Sequence, residues 1–127
     1  MTEWVLDASA VLALMRGEPG ADQVAAALAT AVVSSVNTAE VISRLLREGM
    51  EPSVAREAVL ALGCPIISVD AELGFRAGAL SPATQTKGLS LGERVCLALA
   101  EREQVPALTA DRAWRTLNLD IQIELIR

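Results

Sequence analysis

The sequence predicts an α/β domain, a central parallel sheet of about five short strands flanked by helices on both faces. Three observations carry that expectation. Short runs rich in Val and Ile alternate along the chain with longer Ala- and Leu-rich stretches at helical spacing. Apolar residues make up 52% of the 127, which suits a sheet covered on both faces. Glycines and prolines fall between the runs, where they end helices and open turns.

Trp4-Val5-Leu6 reads as a strand ending at Asp7, and Ala8 to Met15 as a helix broken by Gly17 and Pro19. Asp22 to Ala29 is a second helix, rich in Ala, which loses no side-chain entropy there. Ala31 to Ser35 is a β-branched strand. Asn37 or Thr38 is expected to cap a helix from about Ala39 to Glu48, stopped by Gly49. Glu51-Pro52-Ser53 starts another helix, which runs to about Leu62 before Gly63. Pro65 to Val69 is the third strand, with Asp70 capping the helix after it. Gly78 to Ser90, rich in small and polar residues, is expected to be a surface loop. Leu91 to Glu103 is a strong helix and Pro106 to Thr109 a strand. Asp111 to Thr116 is a short helix, and Ile121-Gln122-Ile123 a last strand with period-2 alternation. No repeat or linker divides the chain, so one domain over residues 1–127 is expected.

Composition removes whole classes of chemistry. There is no histidine, which excludes His-based acid–base catalysis, Ser-His triads and nearly all zinc sites. Cys64 and Cys96 are too few for a disulfide framework and are expected to be small core residues. The net charge of −5 argues against coating of nucleic acid by a broad basic face, but not against an acidic pocket neutralised by metal ions. No apolar run reaches the length of a membrane span, and the first residues lack the pattern of a secretory signal; a cytoplasmic protein is expected.

In open parallel sheets ligands sit beyond the carboxyl ends of the strands. Asp7 directly follows the first strand, Glu40 opens the helix after the second, and Asp111 comes just after Thr109. Glu93 lies in the first turn of the helix entered from the polar loop. A shared sheet edge would gather all four. Two carboxylates about 5 Å apart repel by roughly 3 kcal/mol at an effective dielectric of 20, so such a group takes up a proton or recruits a cation. Oxygen ligands alone point to a hard ion, Mg²⁺ or Mn²⁺, which binds phosphate oxygens and stabilises in-line displacement at a phosphodiester. Each acid also has a purely structural use. Asp7 and Asp111 suit helix N-caps, and Glu40 and Glu93 suit the positive end of a helix dipole.

Four blocks of residues sharpen the reading. Val5-Leu6-Asp7-Ala8-Ser9-Ala10-Val11-Leu12-Ala13-Leu14 is the first, and Asn37-Thr38-Ala39-Glu40-Val41 the second. Gly88-Leu89-Ser90-Leu91-Gly92-Glu93-Arg94-Val95-Cys96-Leu97-Ala98-Leu99-Ala100 and Ala107-Leu108-Thr109-Ala110-Asp111-Arg112-Ala113-Trp114 follow. In order and spacing they resemble the PIN-domain family, most closely its VapC-type toxin branch, over essentially the whole chain. The resemblance implies a parallel sheet between helices and an Mg²⁺- or Mn²⁺-dependent endoribonuclease, a hydrolase of RNA phosphodiesters. It also implies a cognate antitoxin that inhibits the enzyme, and a homodimer. Asp7, Glu40, Glu93 and Asp111 match the family's metal-binding, catalytic acids, and Ser9 and Thr109 match hydroxyl positions that border the metal. The third acid is usually Asp in that branch, so Glu93 is one methylene longer.

Cations near this edge, Lys87, Arg94, Arg112 and Arg115, are the expected RNA contacts, with Arg44 and Arg47 more distant. Three aromatics, Trp4, Phe75 and Trp114, are too few for a base-stacking platform. Helices around Val11–Met15 and Val41–Leu46 carry surplus apolar residues, which suit either an antitoxin interface or ordinary core packing. Two other functions remain. One is a phosphoacceptor signalling domain using Asp70; the other is a PIN fold without activity that serves as a binding module.

Overall fold

The centre of the sheet is the strand β1 (Trp4–Leu6), because Val5 and Leu6 are buried on opposite faces of it. The structure, a computed structural model, describes residues 1–127. Helices α1 (Ala8–Arg16) and α2 (Ala21–Ala27) lead to β2 (Ala31–Ser34), and α3 (Ser35–Arg47) and α4 (Pro52–Ala61) lead to β3 (Ile66–Ile67). The chain then crosses back through α5 (Ala71–Ala79), α6 (Ser81–Thr84) and α7 (Leu91–Glu103) to β4 (Ala107–Thr109) and β5 (Ile123–Leu125). All neighbours are parallel, in the order β3-β2-β1-β4-β5. The order reverses between β1 and β4, so the crevice of this fold opens beyond their carboxyl ends.

Alternation along the strands divides the core. Leu6, Ala31, Val33 and Leu108 face the side covered by α1 to α4. Val5, Val32 and Ala107 face α5, α7 and the fully buried Trp114. The surplus apolar residues of α1 and α3 are mostly explained here: Val11, Leu12, Ala13, Val41 and Leu45 are core, while Leu46 is exposed. Gly17, at φ 65, closes α1 in a left-handed conformation that a Cβ would strain.

The elements depart from expectation in five places. Ser34, not Asn37 or Thr38, caps α3, and the helix starts at Ser35. The expected loop from Gly78 to Ser90 is mostly helical. Leu73, Ala77, Leu80 and Thr84 continue one buried stripe through α5 and α6, and Thr84 Oγ1 donates to Leu80 O. β3 is only two residues long, at the sheet edge behind Pro65. Residues Arg112–Thr116 form a 3-10 turn. β5 starts at Ile123, because pairing of Ala107 with Ile123 sets its register. No helix is long and apolar enough to cross a membrane.

Candidate active site

Asp7 leaves the end of β1 as the N-cap of α1 and is only 4% exposed. Its Oδ1 accepts from Ser9 Oγ at 2.7 Å and from Ala10 N at 2.9 Å. Its Oδ2 accepts from Thr109 Oγ1, at the end of β4, at 2.6 Å. Thr109 Oγ1 in turn accepts from Asp111 N at 3.0 Å, and Ser9 Oγ from Ala110 N at 2.9 Å. The two hydroxyls thereby bolt the strand ends on either side of the reversal point. Burial pushes the Asp7 carboxyl up from 3.8 to about 6, against these three hydrogen bonds and with a further push from the charge of Glu93.

Glu40 is set by two residues that sequence reading passed over as functional. Asn37, 1% exposed, holds its Oδ1 against Ser34 Oγ. Its Nδ2 donates to Glu40 Oε1 at 2.7 Å and to Gly92 O at 3.0 Å, which ties the first turns of α3 and α7 together. A Cβ at Gly92 would overlap the Glu40 carboxylate, so the close approach needs glycine. The signals were a polar residue three before Glu40 and a glycine one before Glu93.

Glu93 uses its extra methylene. Its Oε1 accepts from Ser90 N at 2.9 Å while Ser90 Oγ accepts from Glu93 N, a capping box that starts α7. Its Oε2 accepts from Trp114 Nε1 at 3.0 Å, so the buried indole has a polar partner. Asp111 Oδ1 accepts from Ala113 N at 3.0 Å and caps the 3-10 turn.

One open cleft of about 680 Å³ is lined by all four acids, with Ser9, Asn37 and Ser90. The charges of Asp7, Glu40 and Glu93 all act on the buried Cys96. Desolvation pushes that thiol well above its usual value, and the charges of these three acids push it further. Asp111 is joined to Asp7 through Thr109 Oγ1, which accepts from Asp111 N and donates to Asp7 Oδ2. As placed, no three of these carboxylates converge on a common point at which a cation would be held. Each is turned onto the local donors named above. None of the four has a Lys or Arg partner; the ion pairs of the structure lie elsewhere. Four acids, hydroxyls and no nitrogen or sulfur donor in the cleft wall suit a hard divalent cation in chemistry and charge.

The expected RNA contacts are placed elsewhere. Arg94 Nη1 donates to Ala77 O at 3.3 Å, Arg112 Nε donates to Arg127 O at 3.2 Å, and Lys87 and Arg115 are exposed; none lines the cleft. The cations that do are Arg16, Arg44, Arg47 and Arg127. Asp70 caps α5 through Leu73 N, is exposed and stands outside the cleft.

Comparison with known proteins agrees with this fold. VapBC from Salmonella typhimurium, solved bound to DNA, matches over 100% of this chain and 100% of its own, with a TM-score of 0.78 at 14% identity. A toxin–antitoxin complex from Klebsiella pneumoniae matches over 98% of each chain, with a TM-score of 0.73 at 18% identity. VapC20 of Mycobacterium tuberculosis, a sarcin–ricin loop cleaving toxin, matches over 94% of this chain and 99% of its own, with a TM-score of 0.72 at 15% identity. No curated protein matches the sequence significantly. The PIN domain profile matches residues 4–118, from the first strand past Trp114 and so through all four acids. By that match the chain belongs to the PIN domain family.

Proposed function

We propose that the chain, as one domain over residues 1–127, is a divalent-cation-dependent endoribonuclease and the VapC-type toxin of a toxin–antitoxin pair. The observation that carries this reading is the cleft itself. Carboxylates from the ends of β1 and β4, from the second turn of α3 and from the first turn of α7 line it, and no basic side chain neutralises them. Asp7, Glu40, Glu93 and Asp111 would hold Mg²⁺ or Mn²⁺, which when bound supplies charge neutralisation at a phosphodiester and acidifies water for attack. The chain's own residues set the stage. Ser9 and Thr109 favour the ionised form of the buried Asp7, against the larger opposing effect of burial, and fix its orientation. Asn37 fixes Glu40, and Ser90 with Trp114 fix Glu93. With no histidine in the chain, the leaving oxygen takes its proton from solvent.

The structural neighbours support the biological setting. Two of them are toxin–antitoxin assemblies, which favours an inhibitory antitoxin for this chain, and VapC20 cleaves an RNA loop, which favours RNA as substrate. A homodimer in the cytoplasm completes the reading. Asp70, used as a helix cap, adds nothing to a phosphoacceptor alternative, and the intact set of acids weighs against an inactive module.

The test is cleavage of a mixed RNA pool by the purified chain across Mg²⁺ and Mn²⁺ concentrations, with a chelator control. Cleavage is expected to need the cation and to fall at least about a hundredfold in Asp7→Asn. Cation-independent cutting, or full activity in Asp7→Asn, would remove the proposed site.

A further inference from the structure

We propose that Arg44 and Arg47 form a phosphate-binding rim that holds the RNA strand alongside the four acids, an inference that rests on the ribonuclease reading. The argument begins with helix spacing. Glu40, Arg44 and Arg47 follow one another at i, i+4 and i+7 on α3, hence on one face, and all three line the cleft. At 1.5 Å per residue the two guanidinium-bearing positions lie about 6 Å and about 10 Å along the helix from Glu40. The cleft is therefore charged in two zones, acidic at the sheet edge and basic along α3.

These two arginines differ from the other cations of the same wall. Arg16 is paired with Glu18 and Glu48, and Arg127 with Glu18. Arg44 and Arg47 are exposed and form no ion pair, in a chain with a net charge of −5. The natural partner of Arg44 is Glu40, one turn earlier, since such pairs attract on a helix surface. That carboxylate is bound instead to Asn37 Nδ2. Glu48, one turn after Arg44, is paired with Arg16, so Arg44 has no counterion on either side. Planar guanidinium forks match phosphate oxygens, and no aromatic side chain lines the cleft to stack a base. Phosphate is the group this wall is equipped to recognise.

The test is binding of a fluorescein-labelled, mixed-sequence single-stranded RNA by the full chain carrying Asp7→Asn, followed by anisotropy as a function of salt. Each phosphate contact adds about 0.7 to the steepness of log affinity against log salt for a single strand. Adding Arg44→Gln with Arg47→Gln is expected to weaken binding about tenfold at moderate salt and to flatten the slope by about 1.4. Arg44→Lys with Arg47→Lys keeps the charges and is expected to keep the slope. Mn²⁺ uptake and melting temperature of the otherwise unaltered chain are expected to stay the same in both pairs, which a loss of fold would not allow. An unmoved slope in the glutamine pair, while the chain without Asp7→Asn still cuts RNA, overturns the rim and leaves the ribonuclease reading standing. A chain that neither binds nor cuts RNA in Mg²⁺ or Mn²⁺ overturns both readings.

Discussion

Thr109 Oγ1 donates to Asp7 Oδ2 across 2.6 Å, joining the ends of two neighbouring strands whose residues lie 102 positions apart. A hydrogen bond to a charged group contributes about 1.5–3 kcal/mol. Thr109→Val keeps the shape of the side chain and removes the donor. It is expected to cost about 2 kcal/mol at pH 8, where Asp7 is ionised, and less at pH 5. Urea denaturation at the two pH values, without divalent ions, checks this; equal losses at both would separate Thr109 from the charge on Asp7.

The pH dependence of the metal-free chain follows from Asp7. Its folded carboxyl titrates near 6 rather than 3.8, so the folded chain holds the proton more tightly than the unfolded chain. The associated stability is fully present below about 3.8 and is lost as pH rises through about 6, a change of about 3 kcal/mol. Asp7→Asn has no such group. Stability of the wild type relative to this variant is expected to fall between pH 4 and 7 and then level off. A flat difference across that range would contradict the buried, unneutralised carboxyl. Added Mn²⁺ is expected to restore most of the loss at pH 7 by binding the ionised form.

Gly92→Ala separates fold from function. Alanine suits a helix interior better than glycine by about 1 kcal/mol, and Gly92, in the first turn of α7, gains a part of this. Its Cβ would meet the carboxylate end of Glu40, a flexible side chain that can move aside. The melting temperature is therefore expected to hold or rise while cation-dependent cleavage falls about tenfold or more. Unchanged cleavage would mean that the Glu40 position seen here does not matter.

Two substitutions at Glu93 divide its roles. Glu93→Gln keeps one acceptor oxygen, which can complete the capping box with Ser90, but turns an amide N–H toward the buried Trp114 Nε1; it is expected to cost about 1–3 kcal/mol while cation affinity and cleavage fall. Glu93→Asp is too short to reach back to Ser90 N and is expected to cost about 1 kcal/mol, with a carboxylate still present. Denaturation and cleavage measured side by side are expected to show stability lost in both variants and cleavage lost far more in Glu93→Gln, which alone removes the carboxylate.

How far the fold was legible follows the same residues. α7 was expected at Leu91–Glu103 and lies there, because a Ser cap, a glutamate three residues on and an apolar run all agree. α3 was misplaced because Ser34, Ser35, Asn37 and Thr38 are all cap-forming types. Pairing of β2 with β1 and β3, which places Ser34 at the strand end, decides among them. The segment from Gly78 to Ser90 looked like a loop by composition, yet the buried stripe of α5, Leu73 and Ala77, which packs on α7, continues through Leu80 and Thr84 and keeps much of it helical. The acids were legible because strand ends locate them. Asn37 and Gly92 were not, since their roles exist only where α3 meets α7. Nor were the cations of the cleft, because Arg94 and Arg112, next to Glu93 and Asp111 in sequence, are bound to the carbonyls of Ala77 and Arg127 and do not line it, while Arg44 and Arg47 share the face of Glu40.

The central claim is that the four carboxylates of the cleft act together as a cation site for cutting RNA. Calorimetric titration of Mn²⁺ into the metal-free wild type and Asp7→Asn, with RNA cleavage followed over the same concentrations, tests it most directly. The account predicts saturable uptake by the wild type, cleavage that rises in step with it, and loss of both in a folded Asp7→Asn. A wild type that takes up no cation, or an Asp7→Asn chain that binds and cuts as well as the wild type, would contradict it.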